Sequence, residues 1–336
     1  MSISGLGPHG ERAASGDLLT LSCKDEEAAR AGHFSVAVVM HTTTSDWARQ
    51  LLAGVVTAFG NYSAVVVDVV DCKFGIENQI QALNRLADEP VDAVISIPIG
   101  NAAVAEAHKR IARAGKKLIL LDNAATGLLP GNDYVSVVSA DNFGLGEVGA
   151  ELLSPYLPEG GTVGILGYRV DFFATNQREI AFRKWIGANR PDLTLKMEKF
   201  HDVTNIESAL ERLLESCKPL SGLFVVWDEP TIAVVHYLRK RGLCLPITTV
   251  DLGNEAAAEL ARDGMIKGIG AQNPYRQGIA IAKTTVLSLL GHQPPPWIAL
   301  HALAVTASNV IEAYQVVWHK PAPKDLIDIR RKNSKR

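Results

Sequence analysis

From Phe34 onward the chain alternates between short apolar, β-branched runs and longer amphipathic stretches, with polar loops between them. The runs "FSVAVVM", "SAVVVDVV", "DAVISI", "KLILL" and "YVSVV" fill the first half. "TVGILG", "GLFVVW", "ITTV" and "KGIGA" follow in the second, with a weaker "LTLKMEKF" after "TVGILG". Continuous apolar strands separated by helices of about 12 to 15 residues predict parallel sheets covered on both faces. The helix "SDWARQLLAGVVTAFG" opens with Ser45 and Asp46 as candidate caps and sets Leu51, Leu52, Val55, Val56 and Phe59 on one stripe. A second, "TNIESALERLLESC", starts at Thr204 with Glu207 three residues on, the spacing of a capping box.

The predicted fold class is α/β, with two doubly wound parallel-sheet lobes that meet near Ser139-Ala140-Asp141-Asn142. Beyond Gln272 come a helix (275–290), the cluster "QPPPW" and the segment "ALAVTASNVIEAYQVVWHK". That is too little for a third domain, so these residues complete the two lobes by crossing between them. The expected lobes are 34–140 with 273–302 and 141–272 with 303–330, joined by three crossings near Ala140, Gln272 and His301. Residues 1–33 are expected as a disordered leader and 331–336 as a basic tail.

Charge narrows the partners. Lys plus Arg (34) nearly equals Asp plus Glu (36), for a formal charge of −2, so no nucleic-acid footprint is expected. The partner is a small molecule or another protein. Cys23, Cys72, Cys217 and Cys244 are far apart, without CxxC or Cys/His ligand spacing, and read as free thiols with no metal or cofactor. No apolar run reaches the roughly 18 to 20 residues of a membrane-spanning helix, so no direct membrane insertion is expected. The leader lacks the basic start and apolar stretch of an export signal, and "LLTLSC" before Cys23 has no hydrophobic segment ahead of it to make a lipoprotein site.

In open parallel sheets, ligands bind beyond the carboxyl ends of the strands. Those positions hold His41 to Thr44, Ser45, Asp46 and Trp47, then Asp122 and Asn123. In the second half they hold Phe172, Phe173 and Arg178, then Asp202, Trp227-Asp228-Glu229, Asp251 and Gln272. Carboxylates, amides, an arginine and indoles suit a polyhydroxylated ligand, because an aromatic face covers the C–H side of a sugar ring while the polar groups share hydroxyl protons. Each residue has a plainer alternative. Asp202, Asp228 and Glu229 could cap helices, Trp47 could be core, and Arg178 could form an exposed helical salt bridge. "GLGEVG" (144–149) matches a dinucleotide fingerprint, yet "SADNF" separates it from its strand and no acidic residue ends the next strand, so close helix packing competes. GxSxG, GxxxxGK[ST] and HExxH are absent, and catalysis has no support.

Eight stretches, in order, resemble the ribose-type, or type I, periplasmic solute-binding proteins of ABC transporters, which share their fold with lactose-repressor-type effector domains. They are "VAVVMHTTTSDWARQLLAGV", "KKLILLDNAA", "SADNFGLGEVGAELL", "NQREIAFRKWI", "LFVVWDEPTIAVV", "ITTVDLGNEAA", "IGAQNPYRQG" and "TASNVIEAYQVVW". The resemblance implies that Trp47 is a ring-stacking aromatic, Ser45 falls where Asn is frequent, and Asp122 binds sugar hydroxyls. It also implies ligand roles for Arg178, for Asp251 of the "VDLGN" loop, and for Gln272 at the hinge. Phe173 joins them as a candidate beside the second lobe's arginine. Asn123 stands where ribose binders have a second arginine and Trp227 where they have an asparagine, which argues against ribose itself.

The function implied is a receptor that binds a monosaccharide, polyol or similar ligand between its lobes, closes by a hinge, and presents itself to a membrane permease. A monomer in the periplasm is expected by resemblance. The alternative is a cytoplasmic ligand-sensing regulator of the same fold without its own DNA-binding module, since the leader has no helix-turn-helix pattern. Trp47 and Trp227, one from each lobe, are expected to cover opposite faces of one ring.

Overall fold

The computed structural model describes residues 3–216 and 219–333, so Cys217 and the end of the basic tail lie outside the described residues. The chain divides into two compact units, 1–140 with 274–300 and 141–273 with 301–336. It therefore passes from one to the other three times, at 140/141, 273/274 and 300/301.

The first unit runs β1 (Ala14–Ser15), α1 (Cys23–Gly32), β2 (Ser35–Met40), α2 (Asp46–Gly60), β3 (Val65–Asp71), α3 (Ile76–Asp88), β4 (Ala93–Ser96), α4 (Ala105–Arg113), β5 (Lys117–Leu121) and β6 (Ser136–Ala140). The second runs α5 (Asn142–Leu153), β7 (Thr162–Tyr168), α6 (Phe173–Asn189), β8 (Thr194–Phe200), α7 (Ile206–Ser216), β9 (Gly222–Val225), α8 (Asp228–Lys240), β10 (Ile247–Val250), α9 (Asn254–Ala261) and β11 (Ile266–Ala271). Then α10 (Pro274–Leu289) and β12 (Trp297–Leu300) return to the first unit, and β13 (Leu303–Val305), α11 (Val310–Trp318) and α12 (Lys324–Asn333) complete the second.

The first sheet has the order β1-β12-β6-β5-β4-β2-β3, all parallel. Central strands are buried along all or nearly all of their length, which is why they read as unbroken apolar runs. One face packs Ala37, Val39, Leu118, Leu120, Val137 and Trp297 against Leu83, Leu86 and Ile111 of α3 and α4. The edge strand β3 is only half covered and leaves Val65, Val67 and Val69 exposed. The second sheet has the order β13-β11-β10-β9-β7-β8, parallel except for β13 on β11. Its core includes Phe182 stacked on Phe224 at 4.4 Å.

Several expectations are corrected. Residues 3–33 are ordered: β1 pairs with β12, and α1 starts with a capping box between Ser22 and Asp25. Asp25 meets His292, Arg276 meets Asp17, and Lys283 donates to the Leu19 carbonyl, so this segment is tied to α10 and its flank. Among the described cysteines, Cys23, Cys72 and Cys244 are free. The α2 stripe is Ala48, Leu51, Val55, Ala58 and Phe59, with Val56 more than half exposed. The box at Thr204 and Glu207 does not form; Asp202 caps the turn 203–205 instead, reciprocated by Asn205.

Glycine decides two helix crossings. A Cβ on Gly54 of α2 would collide with the Tyr275 carbonyl, and one on Gly278 of α10 with the Leu51 carbonyl. In "GLGEVG", a Cβ on Gly146 would strike the Arg178 carbonyl and one on Gly149 would come within 2.7 Å of Phe224. The motif is a packing surface for α6 and the sheet, which removes the dinucleotide reading.

Gly54→Ala and Gly146→Ala are expected to lower stability by about 1–3 kcal/mol each through overpacking, whereas Gly60→Ala, with open space around it, should change it by less than about 1 kcal/mol. Denaturant unfolding checks this. His108 gives a pH dependence. It is fully buried, its Nδ1 donates to the Val104 carbonyl at 2.8 Å, and its Nε2 therefore accepts from Ser96 Oγ at 2.9 Å. Burial lowers its pKa from 6.5 to about 4, so between those values the unfolded chain binds the extra proton. Stability from this group is full above about pH 6.5 and lost as the pH falls toward 4, by on the order of 3 kcal/mol. His108→Gln should flatten that part of a stability–pH profile.

Candidate functional site

The carboxyl ends of the strands collect polar groups in each unit separately. In the first, Ser45 caps α2, its Oγ accepting from Ala48 N–H at 3.1 Å. Trp47 lies in the next turn, edge-on to His41 at 5.7 Å, and His41 is edge-on to Phe74 at 4.9 Å. The Trp47 Nε1 and His41 Nδ1 atoms are both buried with no hydrogen-bond partner. A buried polar atom left unpaired is costly, and a ligand hydroxyl would satisfy either. Burial outweighs the pull of Asp71 and lowers the His41 pKa to about 4, which keeps the ring neutral near pH 7.

Asp122 ends β5 in the left-handed region at φ 53°, a conformation that Asp tolerates better than most residues. Its buried carboxylate accepts from Ala140 N–H at 3.2 Å and from Gln277 Nε2 of α10 at 2.9 Å. Because that nitrogen must face the carboxylate, the amide orientation is fixed. Gln277 Oε1 is left buried without a partner. Asn123 is buried too and donates to the Pro98 carbonyl at 2.8 Å, bracing the loop after β4.

In the second unit Arg178 is buried at 4% exposure, not a surface ion-pair residue. Its Nε donates to Asn142 Oδ1 at 3.0 Å, and another guanidinium nitrogen donates to the Val226 carbonyl at 2.9 Å and lies 3.7 Å from Asp251. Asp251 follows β10 at φ 76° and accepts from Gln272 Nε2 at 2.7 Å, leaving Gln272 Oε1 buried and unpartnered. Trp227 stands just before α8, edge-on to Tyr168 and tilted on Phe200, each at 5.2 Å. Asp228 accepts from Gly253 N–H at 2.9 Å and so ties the loop after β9 to the loop after β10. Burial, then Asp251 and Glu229, hold its carboxyl well above the usual carboxylate range. Phe173 is the first residue of α6 and half-buried.

The structure thus sets Ser45, Trp47, Asp122 and Asn123 on the first unit and Phe173, Arg178, Trp227, Asp251 and Gln272 on the second. Arg178, Asp251 and Gln272 form one connected chain of contacts. Sequence reasoning named His41 and Asp228 among the strand-end groups without carrying them into the ligand set, and did not name Phe74 and Gln277 in the first unit or Tyr168 and Phe200 in the second. His41 and Asp228 follow strands directly and carried that signal; Gln277, 155 residues from Asp122, carried none. Among the described residues no group of three or more His, Cys, Asp or Glu could hold a metal ion, and no helix is long and apolar enough to cross a membrane.

Residues 36–293 match the family described as periplasmic binding protein domain, and the chain belongs to that family. The ribose import binding protein RbsB of Bacillus subtilis (strain 168) is 23% identical over 208 residues, 62% of this chain and 66% of that protein, just under two thirds of the relative's length. An ABC transporter solute-binding protein from Agrobacterium vitis, solved with alpha-D-tagatopyranose, matches with a TM-score of 0.77 at 21% identity, over 87% of this chain and 100% of that one. A carbohydrate transporter solute-binding protein from Agrobacterium radiobacter, in complex with D-arabinose, matches with a TM-score of 0.76 at 19% identity, over 84% and 98%. The fold of this chain is the one these proteins share.

Removing the amide that braces Asp122 tests the geometry. Gln277→Met should leave the buried carboxylate short of a donor and lower stability by about 1–3 kcal/mol, read by denaturant unfolding.

Proposed function

We propose that this chain is the solute-binding receptor of an ABC-type importer, working in the periplasm beside a membrane permease. Its ligand is a monosaccharide, polyol or similar small polar molecule, held without chemical conversion by groups from both units and enclosed by hinge closure. The observation that carries this reading is a device present twice. At the carboxyl edge of each unit an indole accompanies an aspartate in a left-handed turn, and a glutamine amide holds that aspartate while keeping its own carbonyl oxygen unpaired. Such edges offer acceptors and aromatic faces, the combination that hydroxylated rings use. The family match supports the receptor role, and the relatives solved with a ketohexose and a pentose support the ligand class. Closure is productive only if the ligand binds the closed form more tightly, which groups from both units provide.

A thermal-shift screen of sugars, polyols and sugar acids should give at least one stabilising compound. With it, Asp122→Ala and Arg178→Ala should each weaken binding at least about tenfold, the loss of one or more bonds to a charged group. Arg178→Ala should also lower the melting temperature, because Asn142 and the Val226 carbonyl lose their donor. Calorimetry showing unchanged affinity in both variants refutes the assignment. Trp47→Ala and Trp227→Ala should each remove part of the ligand-induced fluorescence change; binding that survives Trp47→Ala unaltered would make Trp47 a core residue and end the two-faced arrangement.

A further inference from the structure

At the carboxyl edge of the second unit, the loops after β9 and β10 bring two acids beside one arginine. Asp228 and Asp251 stand there with Arg178, whose guanidinium donates to Asn142 and to the Val226 carbonyl and lies 3.7 Å from Asp251. Asp228 and Asp251 belong to one small structure, since Asp228 accepts from Gly253 N–H two residues beyond Asp251. Gln272, 3% exposed, donates to Asp251 and leaves Oε1 unpaired beside the same carboxylate, because the amide oxygen and nitrogen share one carbon. Around Asp228 and Asp251 an unpaired acceptor therefore adjoins two acids.

A ligand hydroxyl would supply one donor but bring lone pairs of its own. A protonated primary amine supplies three donors, no acceptor, and the missing charge. We infer that the ligand carries an ammonium group seated against Asp228, Asp251 and Gln272 Oε1, and is an amino sugar or amino polyol. This rests on the receptor reading above and specifies its ligand.

The aromatic group of Trp227, Tyr168 and Phe200, immediately before Asp228, adds rings of the kind that attract cations. The charged groups around Asp228 are Asp251 and Glu229; those around Asp251 include Arg178. Burial raises both carboxyls, most strongly Asp228, where two acids add to the effect, while Arg178 and then Gln272 oppose it at Asp251. An arriving ammonium favours their ionised forms and so opposes that rise.

Calorimetry with matched compounds tests this: 2-amino-2-deoxyhexoses and their parent hexoses, amino and plain polyols of three to six carbons, and hexuronates. The aminated members should bind at least about tenfold tighter than their parents, a difference of about 1.4 kcal/mol. Hexuronates should bind more weakly than either. Asp228→Asn should reduce the amine preference about tenfold, and Glu229→Gln, at an exposed position, about threefold. Parent sugars or hexuronates binding as tightly as amines, or an amine preference unmoved in both variants, overturns the inference and leaves the receptor reading standing. No binding by any member of the three series overturns both.

Discussion

Parallel pairing governs this molecule. Two parallel strands cannot be joined by a tight turn, so each connection returns to the starting edge through a helix or, between β5 and β6, a long loop, and the carboxyl ends of a unit's strands gather at one edge. Every loop there is short of backbone partners and is placed beside its neighbours. The sequence uses this by closing strands with residues whose side chains replace the missing partners. Asp122 accepts from Ala140 N–H, Asp228 from Gly253 N–H, and Asp71 from Thr43 N–H and Oγ1. A group that braces a loop in this way is also held still for a ligand, and for these aspartates capping and binding do not exclude one another. At Asp202 the bracing is local: its carboxylate is occupied by Thr204.

The two left-handed aspartates show how the same problem was solved twice. Each turns the chain within one residue after its strand, and each has a glutamine from a distant element on its carboxylate. Gln272 and Gln277 flank the second passage between the units, five residues apart. A short stretch of chain thus fixes an acid in each unit, and its sequence, "QNPYRQ", cannot drift without disturbing both.

What could be read from the sequence was whatever local pattern decides. Long buried strands such as β2 and β7 are unbroken apolar runs, and the alternation of run and amphipathic stretch gave the doubly wound fold. The strands that escaped notice are "AS", "WIAL" and "LAV", too short for any period to register, the middle one directly after three prolines. Site residues defined by strand ends were legible for the same reason. Their partners were not: Arg178 sits mid-helix, and its burial follows from Asn142 and Val226, 36 and 48 residues away. Val56 lies on the apolar stripe by periodicity, but the close approach of α10 at Gly54 and Gly278 narrows the covered face and leaves Val56 outside it. The ordering of residues 3–33 depends on β12 and α10, nearly 300 residues downstream, and no local signal announces it.

That last dependence has a consequence on the ribosome. β12 lies between β1 and β6, and α10 packs on α2, yet both emerge only after residues 141–273 have been made. At roughly 5–20 residues per second the nascent first unit waits on the order of ten to thirty seconds with the β6 edge unpaired, β1 without its neighbour, and the apolar side of α2 open. The second unit, whose chain is nearly complete by then, can fold in that interval. The order of synthesis therefore gives the first unit the longer wait for its missing segment and the greater need of chaperones, while the second waits only briefly for β13, α11 and α12.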